Sequence, residues 1–271
     1  MTMEERLADG EGKLVARARE LIQRAERIVV LTGAGISAES GVPTFRGADG
    51  LWKKHRAEEL ATPSAFDRDP RLVWEWYGWR RERVGECLPN AGHLALADLA
   101  LGRDGVTIVT QNVDGLHSLA AEERAAARQV PPGAAVPLEL HGCLFRVRCT
   151  RCSEEAECRE KVDAGSEETL PHCGSCGALL RPDIVWFGEA LPRSVLNQAF
   201  SAAEAADLCL VVGTSALVHP AASIPVATRD RGGHIVEVNP EPTPLSDMAG
   251  VRLRAGAATV LPSILGDYAA S

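Results

Sequence analysis

The run Ile28-Val29-Val30-Leu31, continuous in apolar residues and broken at once by Gly33 and Gly35, constrains this chain more than any other stretch. A strand that is apolar on both faces has to be covered on both, which places it inside a parallel sheet with helices on either side. Gly33 and Gly35 remove side chains where the strand hands over to a helix, and Ala38 takes the third small position of a G-x-G-x-x-G/A pattern. Such a turn lets backbone amides approach an anion and suits the pyrophosphate of a dinucleotide. A dehydrogenase would add an acidic ribose clamp about 20 residues further on. Here the chain runs instead through Gly41, Val42, Pro43, Thr44, Phe45, Arg46 and Gly47, too broken for a long helix and expected to form a loop over the bound group.

More strands of the same kind follow. Residues 105–110, 136–140, 208–212 and 234–238 are short apolar runs, and each ends in polar or small residues: Gln111, Asn112 and Asp114; His141; Gly213, Thr214 and Ser215; Asn239 and Glu241. Open parallel sheets bind ligands at the carboxyl ends of their strands, so the pattern predicts a doubly wound α/β sheet with one binding edge. Helices are expected over residues 13–25, 71–87, 91–101 and 221–229, with one closing at 202–206 and another opening at Thr62-Pro63, a hydroxyl cap before a first-turn proline. Residues 120–136, rich in Ala, Arg, Pro and Gly, read as a surface excursion. In the 71–87 helix, Val73, Trp76, Tyr77, Val84 and Cys87 fall on one stripe and Arg80 falls in its middle. A cation there stands where an apolar side chain is expected.

Between residues 144 and 180 the spacing of cysteines takes over. Cys149 and Cys152 form one C-x-x-C and Cys173 and Cys176 another, twenty residues apart. This spacing predicts a four-thiolate zinc ribbon, whose closed shell leaves no position for a water and so gives the metal a structural role. Cys158 and His172 break the pairing and are read as bystanders. A redox reading is less supported, because neither pair leads from a strand into a helix. A net charge of −8 argues against nucleic acid as a main partner, and no apolar run approaches the ~20 residues of a membrane span. Residues 1–12 resemble neither a secretory signal nor a transit segment, so a cytoplasmic location is expected; the separate expectation for assembly is a monomer or weak oligomer.

Taken together and in order, these stretches resemble the sirtuins, the NAD-dependent protein-lysine deacylases. The resemblance rests on GAGISAESGVPTFRG (residues 33–47), TQNVDGLH (110–117), LHG (140–142), the two C-x-x-C pairs, VWFGE (185–189), GTS (213–215) and Asn239. It implies a Rossmann-like large domain of residues 13–47, 88–141 and 183–262. It also implies a small domain made of a helical insertion (48–87) and a zinc module (142–182), with 1–12 and 263–271 as termini. NAD would lie against Gly33, Ala34, Gly35, Glu39, Thr44, Phe45, Arg46, Trp52, Gln111, Asn112, Asp114, Gly213, Thr214, Ser215, Asn239, Glu241 and Ala257. His141 would be the base that deprotonates a ribose hydroxyl, a task suited to an imidazole of ordinary pKa ~6.5, and Asn112 and Asp114 would act beside it. Acyl-lysine peptide would meet Val185, Phe187, Gly188 and Glu189, with the products nicotinamide and 2'-O-acyl-ADP-ribose. Tyr77 and Arg80, with Ala61 nearby, are similar to the pocket of the class III branch, which implies removal of succinyl and malonyl groups and, more weakly, acetyl. Two other readings rest on single features: an NAD-dependent oxidoreductase on the glycine pattern, and a zinc-ribbon scaffold on the cysteines.

Overall fold

The computed structural model describes residues 3–43, 51–52 and 55–268. In chain order, helix α1 (Met3–Arg24) leads into β1 (Ile28–Thr32) and the short α2 (Ala34–Ala38). A hairpin of β2 (Leu51–Trp52) and β3 (His55–Arg56) opens the helical insertion α3 (Ala57–Leu60), α4 (Pro63–Arg68) and α5 (Pro70–Gly85). Next come α6 (Ala91–Gly102), β4 (Val106–Thr110), α7 (Leu116–Arg128) and β5 (Leu138–Glu139). Strands β6 (Gly142–Cys149), β7 (Glu155–Glu157) and β8 (Leu180–Ile184) build the metal module. The chain closes with α8 (Arg193–Ala205), β9 (Leu208–Val212), α9 (Ile224–Asp230), β10 (His234–Val238), β11 (Val251–Leu253) and α10 (Ala257–Leu265).

The large sheet has the order β11-β10-β9-β1-β4-β5 and is parallel throughout. Its continuous apolar strands are explained by the two layers that cover it. Ile28, Val30, Ile108, Leu208 and Leu210 pack under α1, α6 and α10, while Val29, Leu31, Val109, Cys209 and Val211 pack under α8 and α9. Successive side chains point to opposite faces and both faces are core, so no polar alternation survives. The chain runs outward from β1 through β4 and β5, then returns to the other side of β1 with β9. That reversal beside β1 is the switch point at which open α/β sheets form their crevice.

A second core joins the helical insertion to the metal module. Leu60, Phe66, Val73, Trp74, Trp76, Tyr77 and Val84 interdigitate with Leu144, Val147, Leu170, Ile184 and Trp186, so two segments far apart in sequence make one small domain. The module's own sheet, β7-β6-β8, is antiparallel.

Four expectations change. Helix α1 begins at Met3 rather than near residue 13. The excursion expected at 120–136 is helical to Arg128: Leu116, Ala120, Ala121 and Ala125 are buried, and Arg124 and Arg128 both reach Asp98 on α6 at 2.8 and 2.9 Å. Residues 183–184, placed above in the large domain, belong with 180–182 to β8 and pair with β6 in the small sheet. Helix α5 buries two faces rather than one stripe, since Trp74 and Arg81 are also inside. Arg81 is tolerated there because its guanidinium donates to the carbonyls of Leu144 (2.6 Å) and Arg146 (3.3 Å). Among the described residues, no helix is long and apolar enough to cross a membrane.

Candidate active site

The register of the large sheet brings the strand ends level. Thr32 lies beside Thr110 on one side and Val212 on the other, and Val212 beside Val238. Gly33, Gln111, Gly213 and Asn239 therefore emerge at one edge. The glycines serve each other's approach: a Cβ on Gly33 would come within 2.7 Å of the Thr214 side chain, and one on Gly35 within 2.7 Å of Gly213. The amides of Gly33 and Gly35 donate to Val212 O (3.0 Å) and Gly213 O (2.7 Å). These glycines thus let the first turn dock on the turn after β9, which takes up the amides of Gly33 and Gly35. Gln111 bridges the same two turns, its side-chain amide donating to Thr214 Oγ1 at 2.9 Å. Further along the edge, the Asn239 amide donates to Glu241 O at 2.9 Å. Glu39 accepts from the Ala258 amide at the start of α10, which seats it beside Ala257.

Behind this edge lies a buried polar cluster. Ser37 Oγ donates to Asp114 Oδ2 at 2.7 Å and accepts from Asn112 Nδ2 at 3.0 Å, and the Leu116 amide donates to Asp114 Oδ1 at 2.9 Å. His93 Nδ1 accepts from the Asn90 amide (3.3 Å), which puts its proton on Nε2, facing Ser37 Oγ at 3.3 Å. His117 Nε2 lies 2.9 Å from Thr32 Oγ1, and the two imidazoles stack edge to face at 4.8 Å. Burial pushes His93 down to about 4, and burial together with His93 holds His117 well below the imidazole range, so both rings are neutral. Burial raises the Asp114 carboxyl above its usual range, while the Leu116 amide and Ser37 favour its charged form. The sequence reading named Asn112 and Asp114 but missed Ser37 and His93. The signal available for His93 was the Asn90-x-x-His93 spacing, in which the helix cap and the imidazole bond each other.

His141 follows β5, and its Nδ1 donates to Gln111 O at 2.9 Å. The ring is thereby held with Nε2 as its proton-accepting nitrogen. Gly142 has φ +80° and packs so closely on β8 that a Cβ would meet Asp183 O at 2.0 Å. Only glycine fits, and the turn fixes where His141 stands. The carbonyl of His141 accepts from the Val185 amide at 3.0 Å.

On the small-domain side, Ala61, Tyr77 and Trp186 are buried together. Arg80 lies over the rings of Trp76 (5.0 Å) and Tyr77 (5.5 Å); burial lowers its pKa, and the nearby Tyr77 works against that. The Trp186 indole N–H donates to the same hydroxyl at 2.9 Å. Glu189 accepts both terminal nitrogens of Arg181 at 2.6 and 2.9 Å and the Trp186 amide at 2.9 Å. The Phe187 amide donates to Ala61 O at 2.9 Å, and the Phe187 side chain is 57% exposed. The amides of Val185, Trp186, Phe187 and Glu189 are thus already used within the fold, which leaves Gly188 and the carbonyls of Val185 and Phe187 as the main-chain groups this segment can offer a peptide. Thr44, Phe45, Arg46 and the Trp52 side chain lie outside the described residues.

The four predicted metal ligands converge. The thiols of Cys149, Cys152, Cys173 and Cys176 all lie within 4.8 Å of one another, with Sγ–Sγ separations of 3.4, 3.6 and 3.7 Å. A tetrahedron with Zn–S bonds of ~2.3 Å has edges of about 3.8 Å, so the cluster fits a zinc ion. The amides of Arg151 and Cys152 donate to Cys149 Sγ, as they would to a ligated thiolate. Cys158 and His172 point elsewhere: Cys158 accepts from Arg81, and His172 bonds Leu170 O.

Comparison with known proteins agrees with this geometry. The Sir2 family model matches residues 33–220. An NAD-dependent protein deacylase of Thermococcus kodakarensis is 49% identical over 93% of this chain and 95% of its own length, and one of Aquifex aeolicus is 46% identical over 89% and 94%. Among solved structures, a Sir2 homolog–NAD complex has 44% identity and a TM-score of 0.83, covering 93% of each chain. A Sir2 bound to acetylated peptide has 28% identity and a TM-score of 0.76 over the full length of both chains.

Proposed function

The chain belongs to the Sir2 family, and from that premise we propose that it is an NAD-dependent protein-lysine deacylase whose pocket prefers acyl chains ending in a carboxylate, succinyl and malonyl before acetyl. The preference rests on one observation: Arg80 and Tyr77 lie one turn apart on α5, with the Arg80 guanidinium 5.5 Å over the ring of the buried Tyr77. A guanidinium and a phenol together match a carboxylate, and the small side chain of Ala61 beside them leaves room for a longer chain.

NAD, when bound, supplies a ribose carbon that gives up nicotinamide and takes the acyl oxygen. The dinucleotide would lie along the sheet edge, against Gly33, Ala34, Gly35, Gln111, Gly213, Thr214, Ser215, Asn239, Glu241, Glu39 and Ala257. Thr44, Phe45, Arg46 and Trp52 are assigned to it by family resemblance. Asn112 and Asp114, locked by Ser37, orient its reacting end. His141 holds Nδ1–H on Gln111 O and accepts a ribose hydroxyl proton at Nε2. Val185, Phe187, Gly188 and Glu189 frame the peptide, Glu189 through its grip on Arg181 and Trp186. Zinc, held by the four cysteines, is structural. The enzyme is assigned to the cytoplasm as a monomer or weak oligomer, without nucleic acid.

Two measurements test this. Nicotinamide release from NAD only in the presence of an acylated peptide tests the deacylase reading, and release without one would overturn it. Side-by-side kcat/KM values on succinyl-, malonyl- and acetyl-lysine peptides test the pocket. A charge-assisted pair worth ~1.5 to 3 kcal/mol favours the acidic chains by roughly ten- to a hundredfold, and Arg80→Met should remove that margin. Better turnover of acetyl than of succinyl peptide by the unmutated enzyme would overturn the pocket assignment and leave the family intact.

A further inference from the structure

Trp186 sits between residues assigned to the peptide, yet its side chain turns away from them and into the small-domain core. It is 2% exposed while Phe187 next to it is 57% exposed. We infer that Trp186 is a specificity-determining positioning residue: its indole N–H fixes the direction in which Tyr77 presents its hydroxyl proton, and so aims that proton at the carboxylate of an acidic acyl chain. The inference rests on the acidic-acyl reading above and assigns it a residue outside the Tyr77–Arg80 pair.

The argument is one of donors and acceptors. The indole nitrogen only donates, and it lies 2.9 Å from the Tyr77 hydroxyl, so the Tyr77 oxygen is the acceptor. Arg80, whose guanidinium lies 5.5 Å over the Tyr77 ring, only donates as well and offers no acceptor. The single hydroxyl proton of Tyr77 can go to neither neighbour. A phenolic O–H prefers the plane of its ring, with two orientations, and a donor occupying one side selects the other. Tyr77 is fully buried, which excludes bulk water as a competing partner. Two groups then meet an incoming carboxylate with donors already turned toward it, the Arg80 guanidinium and the Tyr77 hydroxyl. Such preorganisation removes a reorientation cost from binding.

The indole is itself held on three sides. The Arg181 guanidinium stacks 3.3 Å from its ring centroid, Phe66 lies against it at 5.4 Å, and the Trp186 amide donates to the same Glu189 carboxylate that grips Arg181. Glu189, Arg181 and Trp186 thus form a relay of fixed orientation ending on Tyr77. An acetyl group carries no carboxylate, so it does not use the proton that this relay directs.

Trp186→Phe keeps the ring stack and deletes the N–H. Replacement of Trp186 by its benzothienyl isostere, with sulfur in place of N–H, keeps the whole bicycle and serves if the Phe variant folds poorly. The succinyl-to-acetyl ratio of kcat/KM should fall about tenfold in either variant, chiefly through KM for the succinyl peptide, with a much smaller change for acetyl. In a Tyr77→Phe background the same change should leave the ratio where Tyr77→Phe alone puts it. Equal losses on both peptides would make Trp186 a packing residue and overturn the inference, as would an unchanged ratio in the isostere. A wild-type enzyme without acidic preference would overturn the pocket reading and this inference together. A wild-type preference that survives in the isostere would overturn this inference alone.

Discussion

His141, proposed above as the base, shows how little of such a role lies in a residue's own identity. The imidazole is useful because Gln111 O takes its Nδ1 proton and Gly142 permits the turn that aims it. His141→Ala should lower deacylation ~10²- to 10⁴-fold while NAD affinity by calorimetry stays near normal; near-normal turnover would move the base elsewhere. His93 makes the opposite point, since it contributes only while neutral. Its folded pKa of about 4 lies below the 6.5 of an exposed imidazole, so its contribution to stability is complete above pH 6.5 and is lost as pH falls toward 4. At pH 5 this amounts to about 2 kcal/mol relative to pH 7. Urea melts at the two pH values should show that loss in the wild type and a smaller one in His93→Asn. His141 was legible from its local LHG context. Ser37 and His93 were not, because they meet across 56 residues of chain.

Helix α5 carries two jobs on two faces. Tyr77 and Arg80 lie on the face proposed above for the acyl pocket, and Trp74 and Arg81 anchor the helix to the metal module through Leu180 O, Leu144 O and Arg146 O. Arg81→Met would strand two buried carbonyls. It should destabilise the small domain by about 1–3 kcal/mol, seen as faster hydrogen exchange in α5 and β6, with the large sheet unaffected. Uniform exchange across both domains would contradict this division. Only the Tyr77 face is legible in the sequence, because one hydrophobic stripe runs through it whereas a cation at position 81 reads as solvent-facing. Helix α7 was missed for a related reason. Its buried face is Ala120, Ala121 and Ala125, and small side chains give a weak periodic signal even where they allow close packing on α6.

At the scale of the molecule, the metal module and the proposed acyl pocket share one core, whereas the edge proposed for the dinucleotide belongs to another. Cys149→Ala should weaken zinc retention by elemental analysis and loosen the small domain, α5 included, because ligation and folding are coupled. Deacylation should fall with it, while the parallel sheet should keep its melting transition and NAD binding. Joint loss of both domains would show that the cores are not separable. The sequence by itself determined what is written in short range: five of the large sheet's strands, the polar residues at their ends, the metal ligands by spacing, and the pairing of Tyr77 with Arg80 one helical turn apart. Tertiary structure alone decided what depends on distant partners. It made the glycines of the first turn a seat for Gly213 and Thr214, joined the helical insertion to the metal module, closed Ser37 on Asp114, and set the Trp186 indole against Tyr77 across 109 residues. Periodicity and spacing are set by covalent neighbours and can be read along a chain, whereas a hydrogen bond between remote segments exists only once packing has brought them together.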